Sequence, residues 1–301
     1  MNRADLNRLR SERAEVMRML GNIPKERVID RGSLEYRLEV LDENIAQAGD
    51  IPAPARTVIT FRGKPVVGSH GIFYDFGTKA IGHFADAVAK LAVPPEDEMG
   101  ARGRIPGKAQ NRLLITNAAV GSFGFELEEE PSNELHTEEP SSTAQAMKQV
   151  SEILEAARSS DDDLAKSIAD AQPRAVTSVR EFLDLLVKND AVAAVAYGDH
   201  VVRFSHVAEV RDSYARLEPK NVHEDTKLFK GKFLGLLPHR RTFEFQLEGH
   251  EDPIVGKIPK GLAGIETINA HLNDLVQAKL KETRVGEGKP SFALVEVPQW
   301  L

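Results

Sequence analysis

A hydroxyl, an imidazole and a carboxylate stand close together in KPVVGSHGIFYDF: Ser69, His70 and Asp75. These are the groups of a serine hydrolase, where the imidazole takes the hydroxyl proton and the carboxylate orients the imidazole. Such triads assemble across a fold, and neighbouring side chains usually diverge. The three residues are the catalytic candidates of the chain, and the simpler expectation is that Ser69 or His70 starts a helix while Gly71 lets the chain turn. The same Gly-Ser-x-Gly step recurs at Gly121–Gly124. A nucleophile elbow needs Gly-x-Ser-x-Gly between a strand and a helix. Here Val120 occupies the first glycine position, and the residues after Ser122 read as a strand. Both steps are therefore expected to be bends. Placed at one end of a sheet, their free amides would suit a small anion.

The loop GARGRIPGK, residues 100–108, invites a nucleotide reading. A Walker loop needs a glycine where Arg102 stands and a hydroxyl where Ala109 stands, and it follows a strand. Arg102, Arg104 and Lys108 remain as candidate phosphate contacts. The nine histidines form no His-x-x-x-His or His-Glu-x-x-His pattern, and no metal or cofactor is expected. Asp161, Asp162 and Asp163 are consecutive, whereas a cation loop spaces its ligands one apart. They are expected to open a helix, with Ser160 or Asp161 as its cap, because negative charge is favoured at a helix N-terminus.

Lys227, Lys230, Lys232, Arg240 and Arg241 interleave with Phe229, Phe233, Phe243 and Phe245. Bases of a single strand stack on aromatics beside a basic groove, so this stretch is the nucleic-acid candidate. In an alternating strand, however, phenylalanines and cations point to opposite faces. The rings are expected in a core, and the cations on a surface without a stacking platform.

Three kinds of element must position these residues. Residues 1–50 are expected to form a coiled-coil-like helical hairpin. Leu34, Leu38, Leu41 and Ile45 recur three or four apart and make one stripe, with Gly32 and Ser33 at the helix start. Leu6, Leu9, Val16 and Leu20 keep register in the first arm, with Arg13 at an apolar position. Short arms are marginal alone, so the stripe needs a partner, and a second copy is one candidate. Residues 51–218 are expected to form a central α+β domain. It is built on a ββαββ unit whose first two strands make a hairpin around Arg62, Gly63 and Lys64, followed by helices at 143–158, 161–171 and 173–188. A hairpin about Gly198 and Asp199 is positioned to extend the sheet, and Ser205 to cap a last helix. Residues 219–301 alternate apolar and polar residues over five short strands, the pattern of a small β-barrel.

The whole is a multi-domain α+β chain. With 41% hydrophobic and 28% charged residues in 301, it can bury a core unaided. It has no cysteine, which excludes disulfides, thiolate catalysis and Cys-ligated metal. Its net charge of -7 argues against non-specific coating of a polyanion. No apolar run reaches the ~20 residues of a membrane span, and a cytoplasmic location is expected. No catalytic motif is complete. The sequence therefore favours a non-enzymatic binding or assembly protein. It would self-associate through Leu34, Leu38, Leu41 and Ile45, and contact another protein through the barrel. Nucleic-acid association through residues 227–241 is the second reading, and a hydrolase near Ser69 and His70 the third.

Overall fold

The computed structural model describes residues 3–24, 27–47, 54–93, 100, 103–119, 123–130, 140–259 and 262–300. Arg102, Gly121 and Ser122, named above, lie outside the described residues. The chain is a mixed α+β protein with eight helices and a closed five-stranded barrel among these residues. It divides into two compact units, a helical one at the N-terminus and one holding residues 56–129 and 141–301. No helix among the described residues is long and apolar enough to cross a membrane.

The first unit is built on α1 (Arg3–Asn22) and α2 (Val28–Gln47), packed side by side. The second helix starts earlier than its sequence suggests, so Gly32 and Ser33 lie inside it rather than at its cap. Arg31 supplies the physical reason. Its guanidinium donates to the carbonyls of Leu20 and Ile23, each at 3.1 Å, closing the C-terminus of α1 from within α2. Val16 and Leu41 are buried between the helices, and Leu34, Leu38 and Ile45 are half-buried on the same side. Arg13, the misfit in the first stripe, reaches Asp42 across the seam, and Arg37 reaches Glu12.

The second unit opens with a five-stranded antiparallel sheet. Its strands are β1 (Arg56–Gly63), β4 (Leu113–Ala119), β5 (Gly124–Glu129), β6 (Ala191–Tyr197) and β7 (His200–Arg203), in the order β4-β5-β1-β6-β7. Two-residue strands β2 (Val66–Val67) and β3 (Gly71–Ile72) pair with each other. The expected hairpin of β1 with residues 65–67 therefore does not form. Both edges of β1 are taken by β5 and β6, and the hairpin of β6 and β7 extends the sheet.

Alternation along β1 sends Thr57, Ile59 and Phe61 into the core and leaves Val58 and Thr60 half-exposed behind. Helices α3 (Tyr74–Leu91), α4 (Ser142–Ser159) and α6 (Pro173–Lys188) contribute the other half of that core. Phe61 meets Phe76 edge-on at 5.3 Å, and Phe182 bridges Phe61 and Phe84. Pro173 opens α6 at its first turn, as its fixed φ favours. The last helix of this part, α7 (Val207–Arg216), is not capped by Ser205. Glu209 reaches back instead and accepts the amide of Ser205, the residue before the N-cap His206, at 2.8 Å.

The barrel consists of β8 (Val222–Leu237), β9 (Thr242–Leu247), β10 (Ile254–Lys257), β11 (Leu275–Val285) and β12 (Ser291–Leu294), with short α8 (Glu266–Ala270) between β10 and β11. It closes in the circular order β8-β9-β10-β12-β11, with β10 and β12 parallel and every other pair antiparallel. A small closed barrel is a scaffold whose shape alone fixes no function. Strand β8 serves two neighbours, and a register shift between Phe233 and Gly235 lets it bend from one to the other. Phe233, Phe243 and Phe245 fill the interior as alternation requires, with Ile265 and Ile268 beside them.

Helix α5 (Asp161–Ile168) holds the barrel against the sheet-and-helix part. The Ser160 side chain accepts from the Asp163 amide at 3.1 Å and is the cap. That leaves Asp161 and Asp162 free to reach outward. Asp161 meets Arg216 at 3.1 Å, and Asp162 accepts the Lys289 amide at 2.7 Å in the β11–β12 turn. At the far end Asp170 meets Lys257 at 3.0 Å.

Candidate functional site

The Ser69, His70 and Asp75 group does not assemble. Ser69 and His70 are exposed in the turn from β2 to β3, where the His70 amide donates to Val67 at 2.9 Å. Asp75 is exposed in the first turn of α3, whose N-cap is Phe73 rather than Ser69 or His70. Among the described residues, no hydrogen bond joins the three side chains. The second Gly-Ser-x-Gly step begins outside the described residues and ends at Gly124. Gly124 lies against Thr60 near the end of β1, the end from which the chain leaves for β2.

The expected phosphate contacts are dispersed. Lys108 is paired with Asp86 at 2.7 Å, and Arg104 is exposed in the loop before β4. That loop is held by Arg174, which donates to the carbonyls of Gly100 and Gly103. On the barrel, Lys227 lies between Asp225 at 3.0 Å and Glu282 at 3.4 Å, and those acids raise its pKa above the ordinary lysine value. Lys230 meets Glu248 at 3.0 Å. Arg241 turns inward and donates to the carbonyls of Ile258, Pro259 and Leu262. Lys232 and Arg240 have no acidic partner among the described residues. Of the five expected cations, Lys227 and Lys230 are thus paired with acids and Arg241 is spent on backbone carbonyls. The rings of Phe233, Phe243 and Phe245 are sealed inside, and Phe229 packs on Phe292 at 5.7 Å.

No group of three or more His, Asp or Glu residues that could hold a metal ion occurs among the described residues. His83 pairs with Glu181 at 3.4 Å, and His271 stacks on Trp300 with ring centres 4.5 Å apart.

One pairing with catalytic chemistry was not legible in the sequence. Lys90 of α3 donates to Ser178 of α6 across the helix seam. A lysine beside a serine is a known general-base arrangement. Burial lowers the Lys90 pKa, with Asp86 and Glu181 opposing the shift. Ser178 is 0% exposed, however, so its hydroxyl has no route to a substrate. The pair is a structural tie with a measurable signature. The unfolded chain holds the Lys90 proton more tightly than the folded one, so Lys90 makes stability rise as pH climbs through its lowered pKa toward the ordinary value of about 10.4. Lys90→Met should flatten that alkaline rise, read from the melting temperature against pH. An unchanged slope would count against desolvation of this half-buried ammonium.

The hairpin offers a different kind of site. Its expected self-association stripe, Leu34, Leu38, Leu41 and Ile45, faces α1 and is spent inside the hairpin. A second stripe lies on the opposite side of α2, where Ile29, Tyr36 and Val40 recur seven and four apart. Ile29 is 89% exposed, Tyr36 68% and Val40 36%. Val28, Met17 and Met19 are also exposed on this unit. The spacing was available in the sequence, but the stronger leucine register masked it. Compared with known proteins, the chain matches no family model, no curated protein and no solved structure.

Proposed function

We propose that this chain is a non-enzymatic binding and assembly protein, self-associating through its N-terminal helices and meeting a partner protein through the barrel. The observation that carries the reading is the second apolar stripe of α2: a hairpin that has satisfied its leucine seam still offers Ile29, Tyr36 and Val40 to solvent. Large exposed apolar side chains grouped on one helix face mark contact surfaces more often than isolated ones do. Leu228, Leu237, Val255 and Leu275 on the outside of the barrel are exposed singly, so the stripe of α2 alone carries the reading. Pairing of Lys227 and Lys230 with acids makes a phosphate-binding role for the barrel less favourable than a protein contact.

The decisive substitution is not in the leucine stripe. Aspartate at Leu41 would break the hairpin itself, since that side chain is buried against α1. Ile29→Asp with Tyr36→Asp changes only the outer face. Sedimentation velocity over a concentration series should show association weakened about tenfold or more, with helical content kept. An unchanged isotherm would overturn this assignment.

A further inference from the structure

The seam between α3 and α6 holds a lysine with no acid at contact range. Lys90 is half-buried, and its ammonium donates to Ser178, whose hydroxyl is fully buried. Among the described residues no carboxylate reaches it at ion-pair distance. An acid four residues before a lysine commonly pairs with it on a helix, and Asp86 stands there. Asp86 is instead drawn to Lys108 of the loop before β4, at 2.7 Å. Across the seam, Glu181 lies 3.4 Å from the His83 ring. Arg174, one turn before Ser178 on α6, brings a further cation, and it donates to the carbonyls of Gly100 and Gly103. The last turn of α3, Asp86 and Glu181 favour the charged amine. Burial, Arg174 and Lys108 oppose it, and burial is the largest effect.

We infer that Lys90 is a modification site, whose amine accepts an acyl group from a small activated donor of the thioester class. The observation behind it is a half-buried ammonium that contacts a hydroxyl and no acid. Only the neutral amine has a lone pair to attack with. Desolvation and neighbouring cations are the two means by which a protein frees that lone pair near neutral pH, and Lys90 has both. The step balances without a further reagent. The nitrogen attacks the thioester carbonyl carbon, an N–C bond forms, the C–S bond breaks, and the thiol leaves with the proton that nitrogen sheds. Ser178 makes no bond to the acyl group and only holds the amine. After transfer the amide nitrogen keeps one N–H to donate to Ser178. Acylation removes the charge, so a group that burial penalises becomes one that burial tolerates, with its hydrogen bond retained. Lys79 is the natural contrast. It lies on the same helix about three turns earlier, exposed and with no acid at ion-pair distance among the described residues. The site is separate from the outer face of α2 and stands whether or not the hairpin associates.

The test uses the full chain and the acetyl thioester of N-acetylcysteamine, in an amount that modifies only a small fraction of the chains. Peptide mass spectrometry reads the initial rate at each lysine between about pH 7 and pH 11. Near pH 7 an ordinary lysine is less than about 0.1% neutral, so Lys90 should be acetylated about fivefold or more faster than Lys79. Lys90 loses its proton first, so its rate should level off at lower pH. Near the alkaline end the fully exposed Lys79 should overtake it. That crossing separates an activated amine from a merely accessible one. Glu181→Gln removes an acid that favours the ammonium, and should raise the Lys90 rate about twofold or more near pH 7 while Lys79 keeps its rate. Acetylation of Lys90 no faster than Lys79 near pH 7 would overturn the inference. So would rates that run parallel at every pH, or a Lys90 rate indifferent to Glu181→Gln. Should that variant fail to fold, the crossing in the unsubstituted chain decides alone.

Discussion

Gly124→Ala should cost at least about 3 kcal/mol and lower the melting temperature by about 10 °C. A methyl group at Gly124 would stand 2.1 Å from the Ile59 carbonyl oxygen and 2.6 Å from the Thr60 Cα. Both are backbone atoms of β1, the strand at the centre of the sheet, and neither can rotate aside. The only relief is for β5 to draw away from β1, which breaks the ladder that aligns Thr60 with Gly124 and Ile59 with Phe125. Phe61 would move as well, because its amide donates to the Phe123 carbonyl at 2.9 Å. Phe61 in turn touches Phe76 and Phe182, so the disturbance reaches the centre of the core. Differential scanning calorimetry checks the shift, and a loss below about 1 kcal/mol would mean that the strands are less tightly apposed than described. By contrast, Gly68→Ala tests only a left-handed φ of 55° with open space around the added carbon, a much smaller effect. The two Gly-Ser-x-Gly steps look alike in sequence and are unequal in physics: one glycine serves a turn, the other a close approach of two backbones.

That inequality marks where sequence reading stopped. Period-2 alternation from Lys227 to Lys257 sent the phenylalanines inward whatever the partner strands were, and the barrel was legible for that reason. Helices α5 and α6 were legible because each carries local punctuation, Ser160 as a cap and Pro173 at a first turn, whereas α4 was read from its periodicity alone. The β1 hairpin was misread because Gly63 and Lys64 look like a hairpin turn. The true neighbours of β1 lie far along the chain, Phe125 and Val195 flanking Ile59, which local chemistry does not encode. The start of α2 was missed for a related reason. Gly32 and Ser33 carry the signature of a cap, but Arg31 must precede them inside the helix to reach the carbonyls of α1. Among candidate site residues, type was readable and partner was not. Lys227 and Lys230 are basic in any listing of residues, yet their pairing with Glu282 and Glu248 appears only when β8, β9 and β11 are laid side by side.

Arg241→Met should destabilise the barrel by about 3 kcal/mol or more, since it strands carbonyls that a charged donor had satisfied. The guanidinium of Arg241 serves the carbonyls of Ile258, Pro259 and Leu262, between β10 and α8. Its backbone is committed too, because the Ile258 amide donates to the Arg241 carbonyl at 2.8 Å. The residue also sits at φ 49°, a conformation that costs a side-chain-bearing residue about 1 kcal/mol relative to glycine. Arg241→Gly should therefore be less damaging than Arg241→Met, although it removes more atoms. Thermal melts of the two variants check the order, and glycine proving the worse would show that the aliphatic stem, not the guanidinium and the turn, holds the site. Arg240 is the contrasting neighbour. It is exposed, and Arg240→Ala should leave the melting temperature unchanged within error. Adjacent arginines thus separate two explanations of a basic motif. Any loss of partner or nucleic-acid binding in Arg241→Met is to be read as loss of barrel structure, whereas the same loss in Arg240→Ala, with the fold intact, would be a direct contact.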